Sequence, residues 1–144
     1  MTPYNDDYAS CRKTYSTLCI YHDDLDPDRV SERLSLAPTR AQRRGDIRKQ
    51  LKDRTWRYPV GAWFLCSEGV VASKDARRHI DWILDKVQGK EPVLQDLRNV
   101  GCRTELRCFW VSAGGSGGPA LDPTIMQRLA SLGLELQFDF YDTM

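Results

Sequence analysis

The 144-residue chain is 41% hydrophobic and 28% charged, and its formal net charge is +1. This length and composition are typical of one globular domain over residues 1–144, which can bury a sizeable core without a metal or disulfide staple. A near-zero net charge argues neither for nor against nucleic acid as a partner. No apolar run approaches the ~20 residues of a membrane-spanning helix, and the N-terminus lacks a signal-peptide pattern, so we expect no membrane attachment.

The cysteines indicate a reducing compartment. Their number, five, is odd, and no C-x-x-C pair is present. Free thiols in a reducing cytoplasm are therefore the expected state. Three cysteines lie in strand-like runs, where a thiol usually packs as a small hydrophobe rather than acting in catalysis: Cys19, Cys66 and Cys108.

The first part of the chain predicts an arm, a strand and a helix. Residues 1–12 read as a polar N-terminal arm, and 14–21 (TYSTLCIY) are rich in β-forming residues. A helix is predicted over 26–36, and Pro38 ends it because the residue before a proline avoids the α region. Residues 40–58 are polar and basic, and they are interpreted either as holding a short strand or as a long excursion.

The central part predicts a strand and two helices. AWFLCS at 62–67 is typical of a buried strand. Ser73 is interpreted as the N-cap of a helix that carries its apolar residues on one face and ends at Gly89. A shorter amphipathic helix is predicted over 92–100.

The last part predicts a strand, a loop, a helix and a strand. RTELRCFWV at 103–111 reads as a strand, and the glycine-rich residues 113–120 read as a flexible loop. A helix is predicted over 122–132 and ends at Gly133. In 134–141 apolar and polar residues alternate, which predicts a strand with one buried face.

Together these elements predict an α+β fold: a mostly antiparallel or mixed sheet of about five strands, with helices packed on one face. Leu-Asp-Pro precedes a helix twice, at 25–27 and at 121–123. Aspartate caps a helix N-terminus and proline suits the first helical position. The repeated Leu-Asp-Pro motif is explained either by a duplicated strand-helix unit or by convergence on a favourable helix start.

The glycine-rich loop contains a literal G-x-S-x-G around Ser116. A nucleophile elbow needs its serine on the turn that leads straight into the helix, but the predicted helix begins six or seven residues later. No Lys-Ser or Lys-Thr follows the glycines, and Asp122 at the helix start would repel phosphate. We therefore interpret the loop as a connection.

Other patterns do not commit the chain to catalysis or to a cofactor. HDDLDPD at 22–28 resembles a calcium loop, but it lacks the glycine and the final glutamate that the loop geometry requires. Helix capping and solvated charge are the expected roles of these aspartates. His79 lies near the apolar face of its helix and is expected to be a satisfied boundary histidine. We expect no metal and no cofactor.

Residues 40–57 contain eight Arg or Lys and two Asp, a local charge of +6, so the rest of the chain is net −5. Trp56 and Tyr58 lie at the end of this segment. It is interpreted as a solvated loop with Trp56 in the core, as a surface for an acidic protein partner, or as a nucleic-acid site. The predicted partner-binding residues are Arg40, Arg43, Arg44, Arg48, Trp56 and Arg57.

The order of short motifs resembles the bacterial and phage domain-of-unknown-function family 4279 over about residues 14–142. The motifs are LDPDRVSERLSLAPT, RRGD, GAWFLCSE, HIDWILDKV and LASLGLELQFDFYD. The resemblance implies an α+β fold, no established activity and no catalytic residue to carry over. The basic excess around Arg43 and Arg44 and the GGSGG loop look particular to this member.

The sequence thus predicts a small cytoplasmic binding protein without catalysis, whose partner is a protein with an acidic surface. An immunity-type or inhibitory role would fit its size. The alternatives are a nucleic-acid-associated module that uses the same basic segment and an enzyme of unrecognised type. Exposed strand edges could support a homodimer.

Overall fold

The computed structural model describes residues 3–142, so residues 1 and 2 of the predicted arm lie outside the described residues. In chain order the elements are β1 (Cys11–His22), α1 (Pro27–Leu34), β2 (Arg40–Gln42), β3 (Ile47–Leu51), β4 (Arg54–Arg57), β5 (Gly61–Cys66), α2 (Ala76–Lys86), α3 (Glu91–Asn99), β6 (Arg103–Ser112), α4 (Pro123–Leu132) and β7 (Glu135–Tyr141).

Five strands form one mixed sheet in the order β2-β5-β1-β6-β7. All neighbours are antiparallel except β6 and β7, which are parallel and are joined through α4. The remaining strands, β3 and β4, pair only with each other as an antiparallel hairpin. The predicted α+β class and the mixed sheet of about five strands are confirmed.

The main core lies between one face of this sheet and the helices. Because alternate side chains of a strand point to the same face, Leu18 and Ile20 of β1 lie on one side together with Trp63 of β5. These side chains share one buried cluster with residues from all four helices, among them Val30, Ile80, Leu94 and Ile125. The prediction that the helices pack on one face of the sheet is confirmed.

Two of the three capped helices begin where the sequence predicts. Asp26 caps α1 by accepting a hydrogen bond from the Asp28 N–H, and Asp122 caps α4 by accepting one from the Ile125 N–H. The prediction that Ser73 caps α2 is wrong. Asp75 is the cap, because its carboxylate accepts the Arg77 N–H. The Ser73 hydroxyl instead accepts the N–H of Asp75, which lies before the first residue of the helix.

The N-terminal segment is bound to the start of α2. The Asn5 N–H donates to Asp75 at 2.7 Å, and the Ser73 hydroxyl donates to Asp6 at 2.6 Å. The Tyr4 hydroxyl donates to Asp81, and burial together with this neighbouring carboxylate raises the pKa of Tyr4 to about 12. Residues 4–6 are therefore part of the packed structure.

Candidate functional site

The basic segment contains a two-stranded hairpin that stands apart from the sheet. We call residues 47–57, which comprise β3, its turn and β4, the basic ribbon. The ribbon carries five cationic side chains and one aspartate, a net charge of +4. Every one of its residues is exposed except Trp56, which is half-buried. The cationic residues are Arg48, Lys49, Lys52, Arg54 and Arg57.

Trp56 lies between two of these cations on one face of the ribbon. The Lys49 ammonium is 5.5 Å from the centroid of its ring, and the Arg54 guanidinium carbon is 5.2 Å away. Both distances are within the range of a cation–π contact, which orients the ring. Ile47 and Leu51 are each 53% exposed, so the ribbon combines positive charge with apolar surface.

The base of the ribbon is held by hydrogen bonds. The Gly45 N–H donates to the Tyr58 carbonyl and the Tyr58 N–H donates to the Asp46 carbonyl, both at 2.9 Å. The Arg57 guanidinium donates to the Gly45 carbonyl at 2.8 Å. These bonds extend the β3–β4 pairing beyond the ends of the two strands and hold the base of the ribbon in a defined conformation.

Arg43 and Arg44 are occupied by ion pairs with the start of α1. The Arg43 guanidinium donates to Asp26 at 2.8 Å and to Asp28 at 3.1 Å, and Arg44 donates to Asp24 at 2.5 Å. The hydrogen bond from Arg43 lowers the pKa of Asp26 below its usual value. Three of the four HDDLDPD aspartates therefore form ion pairs with these two arginines.

Arg40 lies on the edge strand β2. Its guanidinium carbon is 4.4 Å from the centroid of the Phe64 ring, and it donates to Gln42 and to the Tyr58 hydroxyl. The structure thus divides the six predicted binding residues among three places. Arg48, Trp56 and Arg57 are on the ribbon, Arg43 and Arg44 are against α1, and Arg40 is on β2.

The glycine-rich loop is tied to the N-terminal segment. The Tyr8 hydroxyl donates to the Gly118 carbonyl at 3.0 Å, and the Ala113 N–H donates to the Ser10 carbonyl at 2.9 Å. The Ser116 carbonyl accepts a hydrogen bond from the Ser112 hydroxyl at 2.7 Å. These contacts give the loop a structural role as a connection.

A serine–histidine pair that no sequence pattern indicated lies inside the protein. Ser67 Oγ is 2.6 Å from His79 Nδ1, and His79 Nε2 is 2.9 Å from the Ser73 carbonyl oxygen. The Ser67 hydroxyl is fully buried and also accepts the Ser16 N–H at 2.9 Å. Since no substrate can reach this hydroxyl in the structure, the pair serves to join β1, α2 and the segment between β5 and α2.

The buried imidazole of His79 makes stability depend on pH. Burial lowers its pKa below the ordinary value. As the pH falls, the histidine of the unfolded chain therefore binds its proton before that of the folded chain. The stability that the neutral His79 contributes is fully present above about pH 6.5 and is lost as the pH falls through the folded-state pKa. We expect the unfolding free energy, measured with urea, to fall between about pH 7.5 and pH 5.5 more steeply in the wild type than in His79→Gln. An equal pH dependence of the unfolding free energy in the two proteins would contradict this prediction.

The five cysteines are free, and four of them are buried. Burial raises the pKa of Cys19 and of Cys108 to about 11. These thiols remain protonated at neutral pH and pack as small hydrophobes. Among residues 3–142 no group of three or more His, Cys, Asp or Glu side chains has the geometry of a metal site.

The sequence also did not predict the aromatic and charged side chains that meet on the sheet face opposite the helices. Tyr15 and Phe109 stack there with ring centroids 4.5 Å apart. Glu105 is fully buried between Arg103 and Arg107, which both approach one of its oxygens at 3.3–3.4 Å. The other carboxylate oxygen has no hydrogen-bond partner among the described residues. The alternation of β6 predicts that Arg103, Glu105 and Arg107 share this face, whereas the stacking of Phe109 on Tyr15 depends on the pairing with β1.

The described part of the chain contains no helix with the length and apolar character required to cross a membrane.

No curated protein and no solved structure matches the chain significantly. The family described as Domain of unknown function (DUF4279) matches residues 12–143, nearly the whole chain. Its match covers the basic ribbon and every helix and strand of the fold, apart from Cys11 at the start of β1. The chain therefore belongs to the DUF4279 family.

Proposed function

We propose that this protein is a small, non-catalytic cytoplasmic binding protein that holds an acidic protein surface with its basic ribbon. The observation that carries the proposal is the exposed hairpin of net charge +4 with a tryptophan between two cations. Arginine and tryptophan dominate the binding energy of many protein interfaces, and opposite charge accelerates encounter. An immunity-type or inhibitory role is consistent with such a module.

The apolar residues of the ribbon favour a protein partner over nucleic acid. Ile47 and Leu51 lie among the cations and are each 53% exposed. Burial of aliphatic side chains contributes free energy against an apolar protein surface, whereas the phosphate backbone offers them no counterpart. We therefore expect the partner surface to combine carboxylates with an apolar patch.

A nucleic-acid partner is the second candidate, and one observation favours it. A two-stranded ribbon fits the major groove of DNA, and five cations along eleven residues could neutralise several phosphates. This candidate predicts binding that weakens steeply with salt, because each neutralised phosphate releases counterions.

The proposal is tested by capture with a charge-reversed ribbon. Immobilised wild type is expected to retain one protein at near-equal stoichiometry after nuclease treatment and at moderate salt. The variant Arg48→Glu/Lys52→Glu should retain at least about tenfold less, because it turns attraction into repulsion at the interface. Retained material is measured by quantitative mass spectrometry.

The matched control is Arg29→Glu/Lys74→Glu, which makes the same charge change at two exposed positions outside the ribbon. This control should capture the partner like the wild type. Equal capture by the ribbon variant, with an unchanged melting temperature, would sink the assignment of this surface. Retained material that disappears with nuclease and at moderate salt would support the nucleic-acid candidate instead.

A further inference from the structure

The outer edge of β7 has no neighbouring strand among residues 3–142. β7 lies at one end of the sheet and pairs only with β6. Its seven residues therefore present a row of unpaired backbone N–H and C=O groups. Proteins often protect such an edge by shortening it or by placing lysine or proline on it. β2 at the opposite edge has three residues, whereas β7 is long and contains neither lysine nor proline.

Two exposed aromatic side chains stand beside this edge. Phe138 is 37% exposed and Phe140 is 57% exposed. Their rings stack with centroids 5.1 Å apart and planes 5° apart, and the buried Trp110 packs edge-on against Phe140 at 6.1 Å. Leu136 lies on the same face of the strand, because residues two apart point to the same side. The edge is thus bordered by a preformed apolar surface.

We propose that a second copy of this chain covers this edge, with β7 pairing antiparallel to β7 of the second copy about a two-fold axis at Phe138. In this register Phe138 faces Phe138 of the second copy, and Leu136 faces Phe140. The exposed aromatic rings are then covered by the same surface of the other subunit. Such self-complementarity is what a two-fold interface requires.

The polar face of β7 is complementary in the same register. Gln137 faces Asp139 of the second copy, so that its amide can donate to the carboxylate. Glu135 faces Tyr141, whose hydroxyl can donate to the glutamate. No two like charges are opposed, and facing polar side chains of this kind stabilise a strand pair.

Like charges exclude the neighbouring registers. A shift by one residue is incompatible with the pleat, because it would place the apolar face of one strand opposite the polar face of the other. An axis at Asp139 places the two Asp139 carboxylates opposite each other. An axis at Gln137 places Glu135 opposite Asp139. Like charges directly opposite destabilise a strand pair, so the register at Phe138 is favoured.

The dimer would make the basic ribbon bivalent. The ribbon follows β2, at the edge of the sheet furthest from β7. Pairing through β7 joins two five-stranded sheets and leaves the β2 strands at the two outer edges, roughly 43 Å apart at the usual strand spacing. The dimer itself does not rest on the proposed function, since reversal of the ribbon charges should leave the molecular mass unchanged.

The first test is the molecular mass over a concentration series, measured by sedimentation velocity. The wild type is expected to approach twice its 16.5 kDa mass with increasing concentration. Phe138→Lys should raise the dimer dissociation constant at least about tenfold, because two lysines would face each other at the axis. Val100→Lys is the control, since Val100 is 70% exposed on a different surface, and it should dimerise like the wild type.

A wild type that stays monomeric over the whole series would overturn the proposal. An unchanged dissociation constant in Phe138→Lys would also overturn it. Near-identical melting temperatures of the two lysine variants at monomeric concentration establish that both are folded. The mass of Arg48→Glu/Lys52→Glu separates this result from the test of the ribbon.

The second test fixes the register by cross-linking. Facing Cα atoms in an antiparallel pair are about 4.5–5.5 Å apart, which is within the range that a disulfide spans. Phe138→Cys should therefore form a covalent dimer on mild oxidation, whereas Asp139→Cys should not, because those residues are diagonal at about 7–8 Å. The wild type, oxidised in parallel, controls for the five native thiols. Cross-linking only through position 139 would overturn the proposed axis.

Discussion

Replacing Arg77 by alanine is expected to lower the free energy of unfolding by about 3–5 kcal/mol, because it leaves a buried carboxylate without its counter-charge. The Arg77 guanidinium donates to both oxygens of Asp75, at 2.7 and 3.1 Å, and lies 3.5 Å from Asp122. It also donates to the Pro3 carbonyl at 2.8 Å. One arginine thus joins the N-caps of α2 and α4 to the N-terminal segment.

The pKa of Asp75 shows how strongly this network holds the charge. Burial alone would raise it, but the hydrogen bonds from Arg77 and from the Asn5 N–H bring it below its usual value. In Arg77→Ala the buried carboxylate loses the guanidinium, while the backbone N–H of residue 77 can still donate to it as the α2 cap. Equilibrium urea unfolding followed by circular dichroism measures the loss.

The neighbouring arginine provides the control. Arg78 pairs with Asp6, and both side chains are more than 40% exposed. Exposed pairs contribute little to stability, so Arg78→Ala should destabilise the protein far less than Arg77→Ala does. Arg77→Lys should recover only part of the stability, because an ammonium cannot make the two parallel hydrogen bonds of a guanidinium. A loss for Arg77→Ala no greater than for Arg78→Ala would contradict the network.

Trp63→Ala is expected to cost about 3–5 kcal/mol, the usual range for removing a buried tryptophan. Trp63 is fully buried in the main core, and its indole N–H donates to the Ser31 hydroxyl at 3.0 Å. The substitution opens a cavity between β5 and α1 and leaves the serine without this donor. The denaturation midpoint measures the effect, with the slope checked for two-state behaviour.

The second tryptophan separates folding from binding. Trp56 lies on the ribbon outside both core clusters, so Trp56→Ala should change the free energy of unfolding by less than about 1 kcal/mol. The same substitution should weaken partner capture, because it removes the central aromatic anchor of the ribbon. If Trp56→Ala destabilised the fold as much as Trp63→Ala, the ribbon could not be described as a separate surface.

Local chemistry explains how much of the fold the sequence predicted. Asp26 with Pro27 and Asp122 with Pro123 carry the helix starts within two residues, so no distant contact is needed to recognise them. The helical spacing of α2 likewise reports which face is buried. The prediction of a buried face in β7 is wrong, because β7 lies at the edge of the sheet and Phe138 and Phe140 are exposed there. The prediction that Ser73 caps α2 was wrong because two residues able to cap a helix, Ser73 and Asp75, lie two positions apart. Only the backbone conformation shows that Asp75 is the cap.

The ribbon was not predictable because its turn lacks the usual sequence signal. Tight hairpins generally carry Asn-Gly or Asp-Gly, whereas here Lys52 adopts a left-handed φ of 52° next to Asp53. Both strands are exposed and basic, so no alternation of apolar residues marks them. A solvated loop and a projecting ribbon therefore have the same appearance in the sequence.

The sequence by itself determined the α+β class, the helix starts and a basic segment on an otherwise acidic chain, because these depend on neighbouring residues or on composition. Only the tertiary structure decided which cations are available. Arg43 and Arg44 form ion pairs with aspartates 15 to 20 positions earlier in the chain, whereas no ribbon cation forms an ion pair among the described residues. Strand order was decided in the same way: β7 follows β6 in parallel at the edge, because α4 crosses the sheet and returns the chain beside it.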